Sequence, residues 1–248
     1  MLRRSWRLSL KAATAFRGDM AIGTGVTFVW LFFAIAPVLA AGRYLGQGDG
    51  WTQARLLFLQ AVWYWMDAVM WVFLHGNIRQ LQSDVRRGEL DWKLLLPTDS
   101  LTLVTLGKVN VPDLPKFAIA VGLGALPGSP WSVLMFVVCL LAASVLLWAV
   151  GVFSSYKVIT KFEFEGDFLL SSAHNLARVP VSMYGTVLRI VLSSVLPVIL
   201  ITTVPSTVFF GWSGWQVPLT AIGATVALTA ALRLAWRRET KLYVGLQG

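Results

Sequence analysis

The sequence predicts an all-α integral membrane protein: six transmembrane helices, an interfacial amphipathic helix ahead of them, and a cytoplasmic helical segment between spans two and three. Three observations predict it. Hydrophobic residues make up 56% of the 248 residues and charged residues only 13%, about half the charged share of an average soluble domain. Several apolar runs reach the ~20 residues a helix needs to cross a ~30 Å hydrocarbon core. The net charge of +9 gathers between those runs, the pattern that orients a chain in a membrane; with no recognition motif beside it, it does not point to nucleic acid.

Residues 1–20 set Trp6, Leu8, Leu10, Ala13 and Phe16 among Arg3, Arg4, Arg7, Lys11 and Arg17. That mixture predicts a helix lying in the interface, its bases toward anionic lipid headgroups; a disordered basic tail is the competing reading. No clear cleavage site precedes the first span, so the segment is read as retained. The transmembrane domain then covers 21–236, with spans at 22–41, 56–76, within 101–126, 131–153, 186–210 and 217–236, and a basic tail at 237–248 closes the chain. Loops 77–100 and 154–183 fall on the same side as both ends. Those segments hold Arg79, Arg86, Arg87, Lys93, Lys157, Lys161, Arg178, Arg237, Arg238 and Lys241, whereas the opposite loops hold only Arg43 and Arg55. The asymmetry predicts cytoplasmic termini.

Polar residues inside apolar runs mark candidate functional positions. Asp67 stands mid-span among Trp63, Trp65 and Trp71. It is too deep to snorkel, so it faces a wet cavity or a cation, or is neutral. It is read equally as a wall of a transport path, together with Trp63, and as a structural hydrogen-bonding group. In span three, "GKVNVPDLPK" brings Asn110 and Asp113 to the same path and predicts a broken helix, because Pro112 and Pro115 remove backbone donors. Such a break is tolerated at membrane depth only where protein or water satisfies it. Lys116 lies three residues after Asp113, within pairing distance if the helix persists. Lys108 is expected to snorkel toward the headgroups. The acidic run 162–167 reads as a solvated turn or a second docking contact. Trp6, Trp51, Trp131, Trp212, Trp215 and Trp236 fall near span ends and suit interfacial belts.

Enzyme readings fail on their partners. "GWSG" (211–214) has the form of an intramembrane serine protease motif, but no His follows Ser213, so the base is missing. His75 and His174 lack metal-ligand spacing, and the lone Cys139 supports neither a disulfide nor a cysteine metal site. No metal or cofactor is expected in this chain. One transport reading is a channel or secondary transporter lined by Asp67 and Asp113, with no ATPase partner.

A second transport reading rests on "VRRGELDWKLLLP" (85–97). It sits in the cytoplasmic loop after span two, with apolar residues near helical spacing, Gly88 to divide it and Pro97 to end it. It resembles the "GxLDxxLLxP"-like loop of bacterial type-2 ABC transporter permeases. Residues 177–211 are similar to a later block of that family, at Pro180, Tyr184, Arg189, Pro197, Pro205 and Gly211, and the end resembles its closing Trp and Tyr at Trp236 and Tyr243. The resemblance implies the permease subunit of an ABC exporter in the bacterial inner membrane. Its coupling helix would be carried by Gly88, Glu89, Leu90, Asp91, Trp92 and Leu95. A phosphate-binding GxxxxGK[ST] loop is absent, so ATP and Mg are expected on separate ATPase subunits. A second permease, identical or related, would complete the path.

Overall fold

The computed structural model describes residues 2–45, 50–160, 167–194 and 198–247. Lys161, Pro197 and the acidic run 162–167, except its last residue, lie outside the described residues. The described elements are helical, in keeping with an all-α membrane protein. They are α1 (Leu2–Ala15), α2 (Arg17–Leu45), α3 (Gln53–Val69), α4 (Gly76–Arg87), α5 (Leu90–Leu94), α6 (Ser100–Leu106), α7 (Pro115–Leu123), α8 (Pro130–Ser155), α9 (Asp167–Leu176), α10 (Thr186–Ser194), α11 (Val198–Ile201), α12 (Thr203–Phe209) and α13 (Gln216–Gln247).

Four stretches are long and apolar enough to cross a membrane: Arg17–Ala36, Gln53–Arg87, Pro130–Ile159 and Gln216–Tyr243. The second is the axis of the molecule. From Leu56 to Val69 its side chains are buried almost all round, as expected of a helix surrounded by other helices. α7 packs along it on one side and α2, α8 and α12 close the others. Phe58 stacks on Phe209 at 4.3 Å, and Trp65 donates its indole N–H to Ser144 of α8 at 3.1 Å.

Span three is broken, as its prolines predict. α6 packs on α4 and α5. A single 3-10 turn, Val111–Asp113, then leads to α7, with Pro115 at its first position, where a missing N–H costs nothing. α2 passes so close that a Cβ on Gly23 would sit 2.9 Å from Pro112 Cβ.

Packing gives the stretch expected as span five an unexpected arrangement. Met183 packs in the cluster of Trp51, Leu56 and Leu59, at the start of α3, and Trp212 meets Trp51 edge-on at 5.2 Å. Both ends of 183–212 therefore lie at one end of the bundle. Between them Leu192 reaches the Trp63–Tyr64 cluster, and Thr202 Oγ1 donates to Ala177 O at 2.8 Å. The described parts, 183–194 and 198–212, thus join one end of the bundle to its interior. A dipping hairpin is as apolar as a crossing, so hydropathy does not separate the two.

Two of the tryptophans expected in belts, Trp51 and Trp236, are buried; Trp131, Trp212 and Trp215 are exposed. Trp236 instead donates to Ser100 Oγ at 3.1 Å. This contact, with Lys157–Glu239 at 2.5 Å and the seat of α1 beside Leu106 and Gly107, puts both ends of the chain at the end of the bundle where α4–α6 lie.

Candidate functional site

The site begins at an irregularity in the axial helix. Met70–His75 forms a π turn joining α3 to α4, a wide turn often found at functional sites. Asn110 donates its backbone N–H to the Val72 carbonyl of this turn at 3.0 Å. Asn77 clamps the same place. Its Nδ2 donates to Phe73 O (2.7 Å) and Lys108 O (2.9 Å), and its Oδ1 accepts from Lys108 N–H at 3.0 Å. The freed backbone of the broken span is thus satisfied by the neighbouring helix, the condition for irregular backbone in a membrane.

The break turns a row of polar side chains toward α3. Asp67 Oδ2 accepts from Lys116 Nζ at 2.8 Å, and Lys116 also pairs with Asp113 at 2.9 Å. Asp113 Oδ2 accepts from Asn110 Nδ2 at 2.5 Å. On the other side, Asp67 Oδ1 lies 3.2 Å from His174 Nε2 of α9. A chain of five polar groups, Asn110–Asp113–Lys116–Asp67–His174, joins three separate segments. It lines a cavity of about 480 Å³ walled by Trp30, Trp63, Tyr64 and Trp71. Lys116 Nζ stands over the Trp71 ring at 5.3 Å and the Arg178 guanidinium over Trp63 at 4.2 Å. Trp63 stacks on His174 at 4.7 Å and donates to its carbonyl at 2.9 Å.

All four path residues singled out in the sequence, Asp67, Trp63, Asn110 and Asp113, line this cavity. Lys116 is only 5% exposed, so it is an interior counter-ion and not a snorkelling base, whereas Lys108 reaches Gln80 Oε1 on the exposed side at 2.9 Å. Sequence reasoning missed His174 and Arg178, assigning both to a cytoplasmic stretch. A signal was present: Ser171, His174 and Asn175 recur at helical spacing as one polar face, and all three line the cavity.

The coupling candidates lie elsewhere, beyond the far end of the same helix. Gly88 takes φ +70° and ends α4. Its N–H donates to Val85 O (3.2 Å) and that of Glu89 to Asp84 O (2.8 Å), the double bond of a glycine-terminated helix. α5 comes next. Leu90 is fully buried and anchors it, and Lys93 pairs with buried Asp84 of α4. Trp92 (54%) and Leu95 (84%) face outward with Gly88 and Glu89, and Asp91 is half-buried. Six residues within 88–95 are therefore divided between holding the segment and presenting it.

Crossing-length helices around a charged interior cavity, with an exposed apolar knob beyond them, define a multi-pass membrane transport component. A model of the ABC-2 family transporter proteins matches residues 26–246, and the chain belongs to that family, as a type-2 ABC transporter permease. Membership implies association with an ABC ATPase in general. Neither the curated proteins nor the solved structures gave a match.

Proposed function

We propose that this chain is the permease subunit of an ATP-driven exporter in the bacterial inner membrane. It crosses six times: α2, α3 with the π turn, the stretch 107–123, α8, the stretch 167–183, and α13. Both termini and α4–α6 face the cytoplasm. The observation that carries this reading is the exposed Trp92–Leu95 patch. It sits on a short helix held to the axial helix by buried Leu90 and the Lys93–Asp84 pair. Exposed aromatic and aliphatic residues on a rigid element are what a soluble partner grips, and an ATPase subunit carrying ATP and Mg is that partner. Closure of the ATPases pushes α5, α5 pushes α4, and the push reaches the cavity through the π turn. A second permease, identical or related, completes the path. A channel is disfavoured because the carboxylates it would use, Asp67 and Asp113, are both tied to Lys116. The chain itself performs no chemistry.

The experiment is co-purification with a co-expressed ABC ATPase subunit, combined with site-directed labelling. Cysteine placed at Glu89 in a Cys139→Ala background should label only from the cytoplasmic side. Glu89→Lys or Trp92→Ala should release the ATPase while the permease still inserts. Labelling from outside intact cells, or full ATPase retention in both variants, overturns the proposal.

A further inference from the structure

α1 has two faces, and each has a different neighbour. On one, Ser5 and Ser9 are one turn apart and meet the break in span three. Ser5 Oγ donates to Gly107 O at 2.5 Å, Trp6 donates its indole N–H to Leu106 O at 2.7 Å, and Ser9 Oγ accepts from Val109 N–H at 3.4 Å. These backbone groups stand at the end of α6 and just past it. The next residues along the chain, Asn110, Asp113 and Lys116, make up three of the five groups of the cavity's polar chain. At 100° per residue, the opposite face carries Arg3, Arg4, Arg7 and Lys11 within an arc of about 100°, centred roughly 170° from the two serines. All four bases are exposed, exposed Leu8 and Leu10 flank the arc, and Asp19 is the first acidic residue of the chain.

The axial helix fixes the depth of α1. Trp6 lies 5.9 Å from Phe73, and Phe73 is twenty residues past Gln53, about 30 Å along the helix axis. That is about one hydrocarbon thickness. α1 therefore lies at the headgroup level of the leaflet opposite the start of α3. A basic arc flanked by leucines at that depth fits an anionic phospholipid leaflet by charge and by polarity.

We propose that α1 is a lipid-reading brace. Anionic headgroups hold its basic face, this keeps the serine face seated on 106–109, and the seated loop holds Lys116 between Asp67 and Asp113. The cavity is then assembled fully only in an anionic leaflet. The inference uses α1, the break and the cavity, and does not depend on how the transporter is powered.

Hydrogen exchange tests it on the full chain in nanodiscs of phosphatidylcholine alone or mixed with phosphatidylglycerol. Amides 108–110 should exchange roughly tenfold more slowly with phosphatidylglycerol, since each base near an anionic surface adds attraction. The variant Arg3→Gln, Arg4→Gln, Arg7→Gln, Lys11→Gln should lose that difference while keeping wild-type exchange in α13, which reports intact folding. Ser5→Ala with Ser9→Ala should speed exchange at 108–110 in both lipids. Equal wild-type exchange in the two lipids overturns the proposal, as does a lipid difference that survives in the four-Gln variant. Inorganic phosphate added to phosphatidylcholine discs should change nothing; slowed exchange there would overturn the claim that a leaflet is read.

Discussion

The continuous helix Gln53–Arg87 joins two regions, one along it and one just past its end, that treat polarity in opposite ways. Around Asp67 the polar groups are buried and answered by one another: carboxylate by ammonium, ammonium by a second carboxylate, carboxylate by imidazole. At Trp92, just past Gly88, the anchoring side chains are hidden and apolar surface is left facing out. From Asp67 to Gly88 is 21 residues, about 31 Å of helix, with one π turn between. A region held by mutual pairs is sensitive to losing any member. A region that waits for a partner folds without its exposed side chains and fails only in association.

That contrast is broken most severely at Asp67. Asp67→Ala leaves Lys116 with one carboxylate in a buried site, and removing one member of a buried pair costs about 3–5 kcal/mol. The yield of monodisperse protein and its melting temperature should both fall. Lys116→Met added to Asp67→Ala should recover much of the loss, and a double-mutant cycle gives the coupling. If the single and double variants melt alike, the polar chain does not hold the bundle together.

At the other region the expected loss is in binding alone. Trp92→Ala should weaken ATPase association by about 2 kcal/mol or more, the scale of an aromatic hot spot, roughly thirtyfold in affinity. The isolated permease should melt as wild type, because the side chain is already exposed. A drop in melting temperature as large as that of Asp67→Ala would erase the distinction between the two regions.

Gly88→Ala sharpens it further. A side chain at φ +70° costs about 1–2 kcal/mol, and no atom crowds the position, so backbone strain is the whole effect. The expected outcome is a modest fall in stability with a larger relative loss of ATPase coupling, read as ATPase activity per assembled complex. His174→Gln should have the smallest effect, about 1 kcal/mol, the value of one net hydrogen bond. Thermal melting set beside Asp67→Ala ranks the two contacts of that carboxylate.

Helix class, the break in span three and the short segment after Gly88 were legible because each has a local cause: apolar length, proline without a donor, glycine at a helix end. Asp67 was legible as an anomaly, since a carboxylate among tryptophans demands an explanation wherever the chain goes. Its partners were only half visible. The Lys116–Asp113 pair follows from spacing along one turn. The Lys116–Asp67 and His174–Asp67 contacts join residues 49 and 107 positions apart, and no local pattern reports such distances.

Local sequence dictates an all-α membrane chain and the places where helices stop, because propensity, hydropathy and backbone sterics act within a few residues. Packing in three dimensions decides what each apolar run packs against, as where Met183 and Phe210 both join the cluster at the start of α3, since a crossing and a hairpin bury the same kind of surface. It also turns Lys116 inward, makes Leu90 an anchor while Trp92 is presented, and seats α1 on the break. In each case the side chain's role is set by what stands opposite it, and that neighbour comes from a distant part of the chain.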